Sequence, residues 1–241
     1  MSKTIAIFGA GSGLGTSVAR RFGAEGYRVA LVARRLEPLE RLTDALTAEG
    51  IEAAPFTADL ADEDAAVAVL DAIRERLGRI DVLYYAPVSI ETGFIPAREL
   101  RAGALRDLLQ LYVLTPVELV HAVLPEMLER GDGAILVGHG HTAIAPRAHM
   151  SGVGPAMAAM RNYLHSLHDE LAGSGIYVGT LAITAMIARS AAHSALTSGT
   201  IDLPPDLPVV DPDELADRLW ELATERDEVE LVHPPITATA K

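Results

Sequence analysis

Residues able to do chemistry gather at two places in the chain. Near the N-terminus, Gly9-Ala10-Gly11-Ser12-Gly13-Leu14-Gly15 directly follows the apolar run Thr4–Phe8. A glycine-rich turn between a strand and a helix lets a pyrophosphate approach the backbone with no Cβ in its way. The helix that follows offers free N–H groups and the positive end of its dipole to that anion. Gly9, Gly11, Ser12, Gly13 and Leu14 are therefore candidate phosphate contacts. In the second half of the chain, Gly138-His139-Gly140-His141 closes another apolar run. A histidine near its ordinary pKa can serve as general acid in a reduction. Alternate residues of an extended segment share a face, so His139 and His141 are candidate catalytic residues that could act together. Tyr112 is a third candidate, and Tyr84 and Tyr85 are further proton donors to consider. Packing as buried aromatics is the competing role for each tyrosine.

Other chemistries fit less well. His139, His141 and His149 have no carboxylate beside them in the sequence, which makes a poor zinc site. Ser151 in Met150-Ser151-Gly152 lacks a G-x-S-x-G elbow, which argues against a hydrolase. The chain has no cysteine, so disulfides, thiolate metal sites and a cysteine nucleophile are excluded. With 241 residues, 49% apolar and 22% charged, the composition is that of an ordinary globular protein. The formal charge of −13 disfavours nucleic acid and anionic membranes as partners. The apolar runs read as too short to span a bilayer, and the N-terminal one ends in glycines without a signal-peptide pattern. A cytoplasmic location is the expectation.

The elements that must position these residues follow a regular rhythm. The patterning predicts helices over Leu14–Gly26 and Pro38–Glu49, and strands over Arg28–Ala33, Ile51–Thr57 and Ile80–Ala86. Asp62 caps a helix that runs to Leu77 and closes at Gly78. The second half continues with a long helical pattern over Leu100–Glu129, which Pro116 and Pro125 should break or bend. A strand over Gly133–Gly138, a helix over Met150–Ala172 and a strand over Gly175–Ile183 come next. Ala185–Pro208 reads as a loop or lid, Asp211 caps a helix to about Thr224, and Glu228–Val232 is a last strand. Strands alternating with helices mean right-handed βαβ units. The expected fold is α/β: a single Rossmann-type, doubly wound parallel sheet of about seven strands, with helices on both faces. Residues 1–235 read as one dinucleotide-binding domain and 236–241 as a flexible tail.

Gly9, Gly13 and Gly15 fit the spacing G-x-x-x-G-x-G, and with the layout above the whole chain resembles the short-chain dehydrogenase/reductase family. The resemblance implies a nicotinamide cofactor. Asp59 matches the family's aspartate that meets the adenine, with a turn or helix cap as its competing role. Arg34 and Arg35 stand where the second strand meets the adenosine ribose. No acidic residue is there for the 2′-OH of NAD, and two guanidiniums suit a 2′-phosphate. A solvated basic pair is the plainer alternative. Leu60 and Ala86 complete the cofactor set, and NADP(H) is the expected cofactor. The resemblance also implies a homodimer or homotetramer built through the long helices.

The likeness stops at the catalytic positions. The family acts through Asn, Ser, Tyr and Lys. Counted from Leu124-Pro125-Glu126-Met127, Gly133–Val137 and Ser166–Leu171, those positions fall on Tyr112, Gly140, Val153 and Met157. No Y-x-x-x-K occurs, and the lysines are Lys3 and Lys241. The family's Asn-Asn-Ala-Gly turn is replaced near Tyr85-Ala86-Pro87-Val88, and its Pro-Gly near Ile183-Thr184. The adenosine half is kept and the substrate half rebuilt. The expected function is an atypical NADP(H)-dependent oxidoreductase acting on a small organic molecule with a nonstandard catalytic site. Its alternatives are a cofactor-binding pseudoenzyme and a non-redox enzyme performing isomerisation, elimination or cyclisation.

Overall fold

Short runs of β-branched and small apolar residues form strands that are covered on both sides, and longer amphipathic stretches supply the cover. The computed structural model describes residues 2–88, 95–199 and 208–236. In chain order these hold β1 (Thr4–Phe8), α1 (Leu14–Ala24), β2 (Arg28–Ala33), α2 (Leu36–Ala48), β3 (Ala53–Thr57), α3 (Glu63–Leu77) and β4 (Val82–Tyr85). They continue with α4 (Ala102–Leu109), α5 (Thr115–Arg130), β5 (Gly133–Gly140), α6 (Val153–Glu170), β6 (Ile176–Ile183), β7 (Met186–Ile187), α7 (Ala191–Thr197), β8 (Val209–Val210), α8 (Pro212–Glu225) and β9 (Glu230–His233).

The main sheet has the order β3-β2-β1-β4-β5-β6-β9, and every pairing in it is parallel. β1 is wholly buried. Ile5 and Ile7 face the layer of α1, α2 and α8, while Ala6 and Phe8 face that of α3, α5 and α6. This is the doubly wound sheet expected from the sequence. The winding direction reverses between β1 and β4, which opens a crevice at the carboxyl edge of the sheet. Asp62 caps α3 as expected, its Oδ1 accepting from the Ala65 N–H at 3.0 Å.

The structure departs from the sequence reading in three places. First, β5 runs on through His139 and Gly140, because β6 offers partners as far as Ile183. Second, the expected lid is partly regular. Met186 and Ile187 pair in parallel with Val209 and Val210, and α7 follows; residues 200–207 lie outside the described residues. The tail residues 237–241 also lie outside them.

Third, the prolines do not break the long helical stretch. Pro116 is the second residue of α5, directly after a π-helical turn, and Pro125 is accommodated inside the helix. A π-helical turn over Gln110–Leu114 joins α4 to α5. The resulting stretch, Ala102–Arg130, has 29 residues and by length and composition is apolar enough to cross a membrane, contrary to the expectation from the sequence. Here it packs against the sheet, burying Leu119, Val120, Val123 and Met127 in the core.

Candidate functional site

The glycine-rich turn is clamped between the ends of β2 and β4. The Gly9 N–H donates to the Val32 carbonyl at 3.0 Å, and the Ala86 N–H donates to the Phe8 carbonyl at 3.0 Å. Gly9 has φ of 104°, and a Cβ there would lie 2.8 Å from the Ala86 carbonyl oxygen. Only glycine fits that approach. α1 then starts without a side-chain cap on its first N–H groups. The N–H groups of Gly9, Ala10 and Gly11 are used within the turn, and the uncapped start of α1 is the part that suits a pyrophosphate.

A continuous cleft of about 1820 Å³ runs along this edge of the sheet. Gly9, Gly11, Ser12, Leu14, Arg34, Arg35, Asp59, Leu60 and Ala86 all line it. Gly13 does not. It has φ of 85° and lies under Ser190, where an added Cβ would stand 3.1 Å from the Ser190 Cα. Arg34 and Arg35 are exposed and form no ion pair among the described residues. Glu37, the nearest acid in sequence, is engaged by Arg41. Asp59 does both things considered for it: its Oδ1 accepts from the Ala61 N–H at 3.1 Å, and the residue borders the cleft. The chain's glycine turn, its basic pair and the crevice together fit a dinucleotide.

At the other end, the four positions counted from the sequence converge. Tyr112 and Val153 pack in one buried cluster with Leu108 and Ala156, and Met157 lies against it. The Gly140 N–H donates to Met157 Sδ at 3.4 Å. All four positions line the cleft, and no lysine among the described residues does. Lys3 is bound to Asp132 at 2.7 Å. Tyr112 is buried in the π-helical turn. Tyr85 donates its hydroxyl to the carbonyl of Leu111, in the same turn, at 2.5 Å. Burial, then the neighbouring Tyr112, push the Tyr85 hydroxyl well above its ordinary pKa. Burial does the same to Tyr84, whose hydroxyl has no partner among the described residues. Both are structural tyrosines.

His139 and His141 stand in different surroundings. Because β5 continues through His139, its side chain turns to the layer of α6 and is almost wholly buried. Its Nε2 lies 3.4 Å from Glu230 Oε2. Arg161 grips both oxygens of that carboxylate, at 2.6 and 2.8 Å, and Thr180 donates to it at 3.2 Å. His165 approaches the same oxygen at 3.5 Å. Burial pushes the Glu230 carboxyl up, but the contacts from His139 and Arg161 outweigh it and hold the pKa far below the carboxylate range. His139 thus borders the cleft while its ring serves a buried ion cluster. The sequence contains no local signal for this cluster, whose members come from β5, α6, β6 and β9.

His141 opens a single 3₁₀ turn, half-buried on the cleft wall. Burial, then the charge of Arg147, lower its pKa. Its Nε2 is buried with no hydrogen-bond partner among the described residues. His149 and Arg147 also line the cleft. The sequence does not single out Arg147, since an arginine in a loop looks like any solvated charge.

A parallel sheet with a glycine-rich turn at its switch point defines a Rossmann-type α/β protein. Residues 3–196 match the family model described as short chain dehydrogenase, and the chain belongs to that family of oxidoreductases, which use a nicotinamide cofactor. A short chain dehydrogenase from Pseudocercospora fijiensis is 30% identical over 174 residues, covering 72% of this chain and 56% of that protein. The chain thus spans just over half the length of this relative. Among solved structures, a single-residue variant of actinorhodin polyketide ketoreductase with NADPH superposes with a TM-score of 0.84 at 25% identity, over 96% of this chain and 95% of that one. A 7α-hydroxysteroid dehydrogenase complexed with NADH and 7-oxo glycochenodeoxycholic acid has the same fold, with a TM-score of 0.84 at 22% identity, over 95% and 92% of the two chains.

Proposed function

We propose that the protein is an NADP(H)-dependent oxidoreductase that acts on a small organic molecule through a nonstandard catalytic site. The observation that carries this reading is one cleft continuous from the basic pair Arg34–Arg35, past the glycine turn, to the rebuilt wall of Gly140, His141 and Met157. Two unpaired guanidiniums at the ribose end suit the extra charge of a 2′-phosphate. Gly9, Gly11, Ser12 and Leu14 hold the pyrophosphate, and Asp59, Leu60 and Ala86 border the adenosine. When bound, the cofactor supplies a hydride to a substrate carbonyl, or takes one from the alcohol. The chain's task at that end is to orient the substrate oxygen and exclude water. Tyr112, Val153 and Met157 exclude water. Of the three catalytic candidates, His141 is the one that lines the cleft without a structural partner for its Nε2. It is assigned to the substrate oxygen.

The test is a calorimetric titration of the purified protein with NADPH and NADH, alongside Arg34→Ala and Arg35→Ala. Tighter binding of NADPH, weakened about tenfold or more by either change, supports the cofactor assignment. Consumption of NADPH with a panel of aldehydes and ketones, reduced in His141→Gln, supports the reaction. Cofactor binding with no turnover of any carbonyl, enone or imine moves the protein to the second reading. In that reading it is a cofactor-binding pseudoenzyme, favoured by the apolar character of Gly140, Val153 and Met157 where the family carries reactive groups.

A further inference from the structure

The substrate end of the cleft carries a cation that the fold leaves unused. Arg147 lines the cleft beside His141 and His149, and no carboxylate among the described residues pairs with it. Arg147 shares this with Arg34 and Arg35 at the other end of the same cleft. Arg20, Arg21, Arg74, Arg161, Arg189 and Arg226 all have acidic partners. Asp107 of α4 borders the same cleft and forms no ion pair with Arg147.

The segment that presents Arg147 is ordered by its own backbone. The Arg147 carbonyl accepts from the Met150 N–H at 3.3 Å, closing a turn. Within it His149 is held at φ of 66°, a conformation uncommon for a residue with a Cβ. The Ser151 N–H then ties the turn to the Ile95 carbonyl at 2.9 Å. Arg147 sits close enough to His141 for its charge, after burial, to depress that histidine's pKa. The guanidinium is a permanent positive charge on this wall. The same cleft also has an apolar stretch: Leu108, Tyr112, Val153 and Met157.

We propose that Arg147 takes the anionic end of the substrate, so that the cleft selects small carbonyl compounds bearing a carboxylate, or a group of like charge and shape, over neutral ones. The proposal rests on the oxidoreductase reading and names the substrate class for it. A planar guanidinium meets a carboxylate through two parallel hydrogen bonds. The apolar wall covers the body of the molecule, and the carbonyl is left beside His141 and Gly140.

A matched pair of probes isolates the charge: 4-carboxybenzaldehyde and its methyl ester. The full chain, saturated with NADP+ so that no reduction occurs, is titrated with each by calorimetry. The acid should bind about tenfold more tightly than the ester or better. The preference should fall to less than about twofold in Arg147→Gln, survive in part in Arg147→Lys, and shrink as salt is raised. Arg147 is exposed and makes no internal pair, so Arg147→Gln should keep the wild-type thermal midpoint. Equal affinity for acid and ester overturns the proposal. So does an acid preference that survives Arg147→Gln, and so does a failure of both probes to bind at millimolar concentration. Should neither NADPH nor NADH bind, the oxidoreductase reading falls, and the acid–ester difference on the cofactor-free protein still decides the role of Arg147.

Discussion

The backbone N–H of Gly140 donates to Sδ of Met157 across 3.4 Å. One residue ends β5 and the other lies in α6, and they stand where the family resemblance implies a serine and a lysine. A thioether is a weak acceptor that cannot ionise. The contact closes the substrate end of the cleft with a group that packs and excludes water but moves no proton.

That contact can be reversed by design. A Cβ on Gly140 would lie 3.6 Å from Met157 Sδ and 3.8 Å from Thr142 Oγ1, so a serine fits without a clash. The triple variant Gly140→Ser, Val153→Tyr, Met157→Lys should gain NADPH-dependent reduction of small neutral aldehydes, by about a hundredfold over the wild type. The decrease in absorbance of NADPH reads it directly. A folded triple variant with no gain would mean that these positions do not surround the reacting carbon.

Gly9→Ala tests the phosphate turn. The new Cβ would meet the Ala86 carbonyl oxygen at 2.8 Å, at a φ of 104° that alanine rarely adopts. The expected cost is about 2 kcal/mol or more of folding stability, with NADPH affinity falling as well. Thermal unfolding and calorimetry measure the two losses separately. An unchanged affinity would remove the turn from the cofactor site.

His139 and His141 should answer differently to the same change. His139 contacts the Glu230 cluster, so His139→Gln should lower the thermal midpoint and leave NADPH affinity intact. His141 lines the cleft, so His141→Gln should keep the midpoint and cut kcat/KM about tenfold to a hundredfold. If His139→Gln alone abolished turnover in a protein of unchanged stability, the assignments would have to be exchanged.

Glu230 sets a pH dependence with a definite sign. Its folded pKa is depressed, so its contribution to stability is complete above the unfolded value of about 4.3 and is lost as pH falls toward the folded value. Glu230→Gln should cost about 2 kcal/mol at pH 7. That is less than for a fully buried pair, because the Arg161 side chain is 31% exposed. The gap in thermal midpoint between wild type and Glu230→Gln should be constant from about pH 6 to 8 and should narrow below about pH 4.5. A gap that widened in acid would contradict the assignment.

What the sequence determined by itself is what short-range physics encodes. The run Thr4–Phe8 and the glycines after it specify a strand and a tight turn through local backbone sterics, and the structure has both within a residue or so. Asp62 announces the cap of α3 because the bond it makes reaches only three residues along the chain. The rhythm of strand and helix implies the doubly wound sheet, and counting from apolar landmarks brings Tyr112, Gly140, Val153 and Met157 to one place. Tertiary structure decided the rest, because it depends on neighbours distant in the chain. In the sequence His139 is free to face the cleft, but the full length of β6 draws it into β5, where side-chain parity turns it toward Arg161 and Glu230. Gly13 reads as a cofactor contact, but Ser190 lies over it. Pro116 reads as a breaker, yet the helical stretch continues through it by way of a π-helical turn. Arg147 reads as any solvated charge, and only the fold brings it to the cleft wall, with no acidic partner among the described residues.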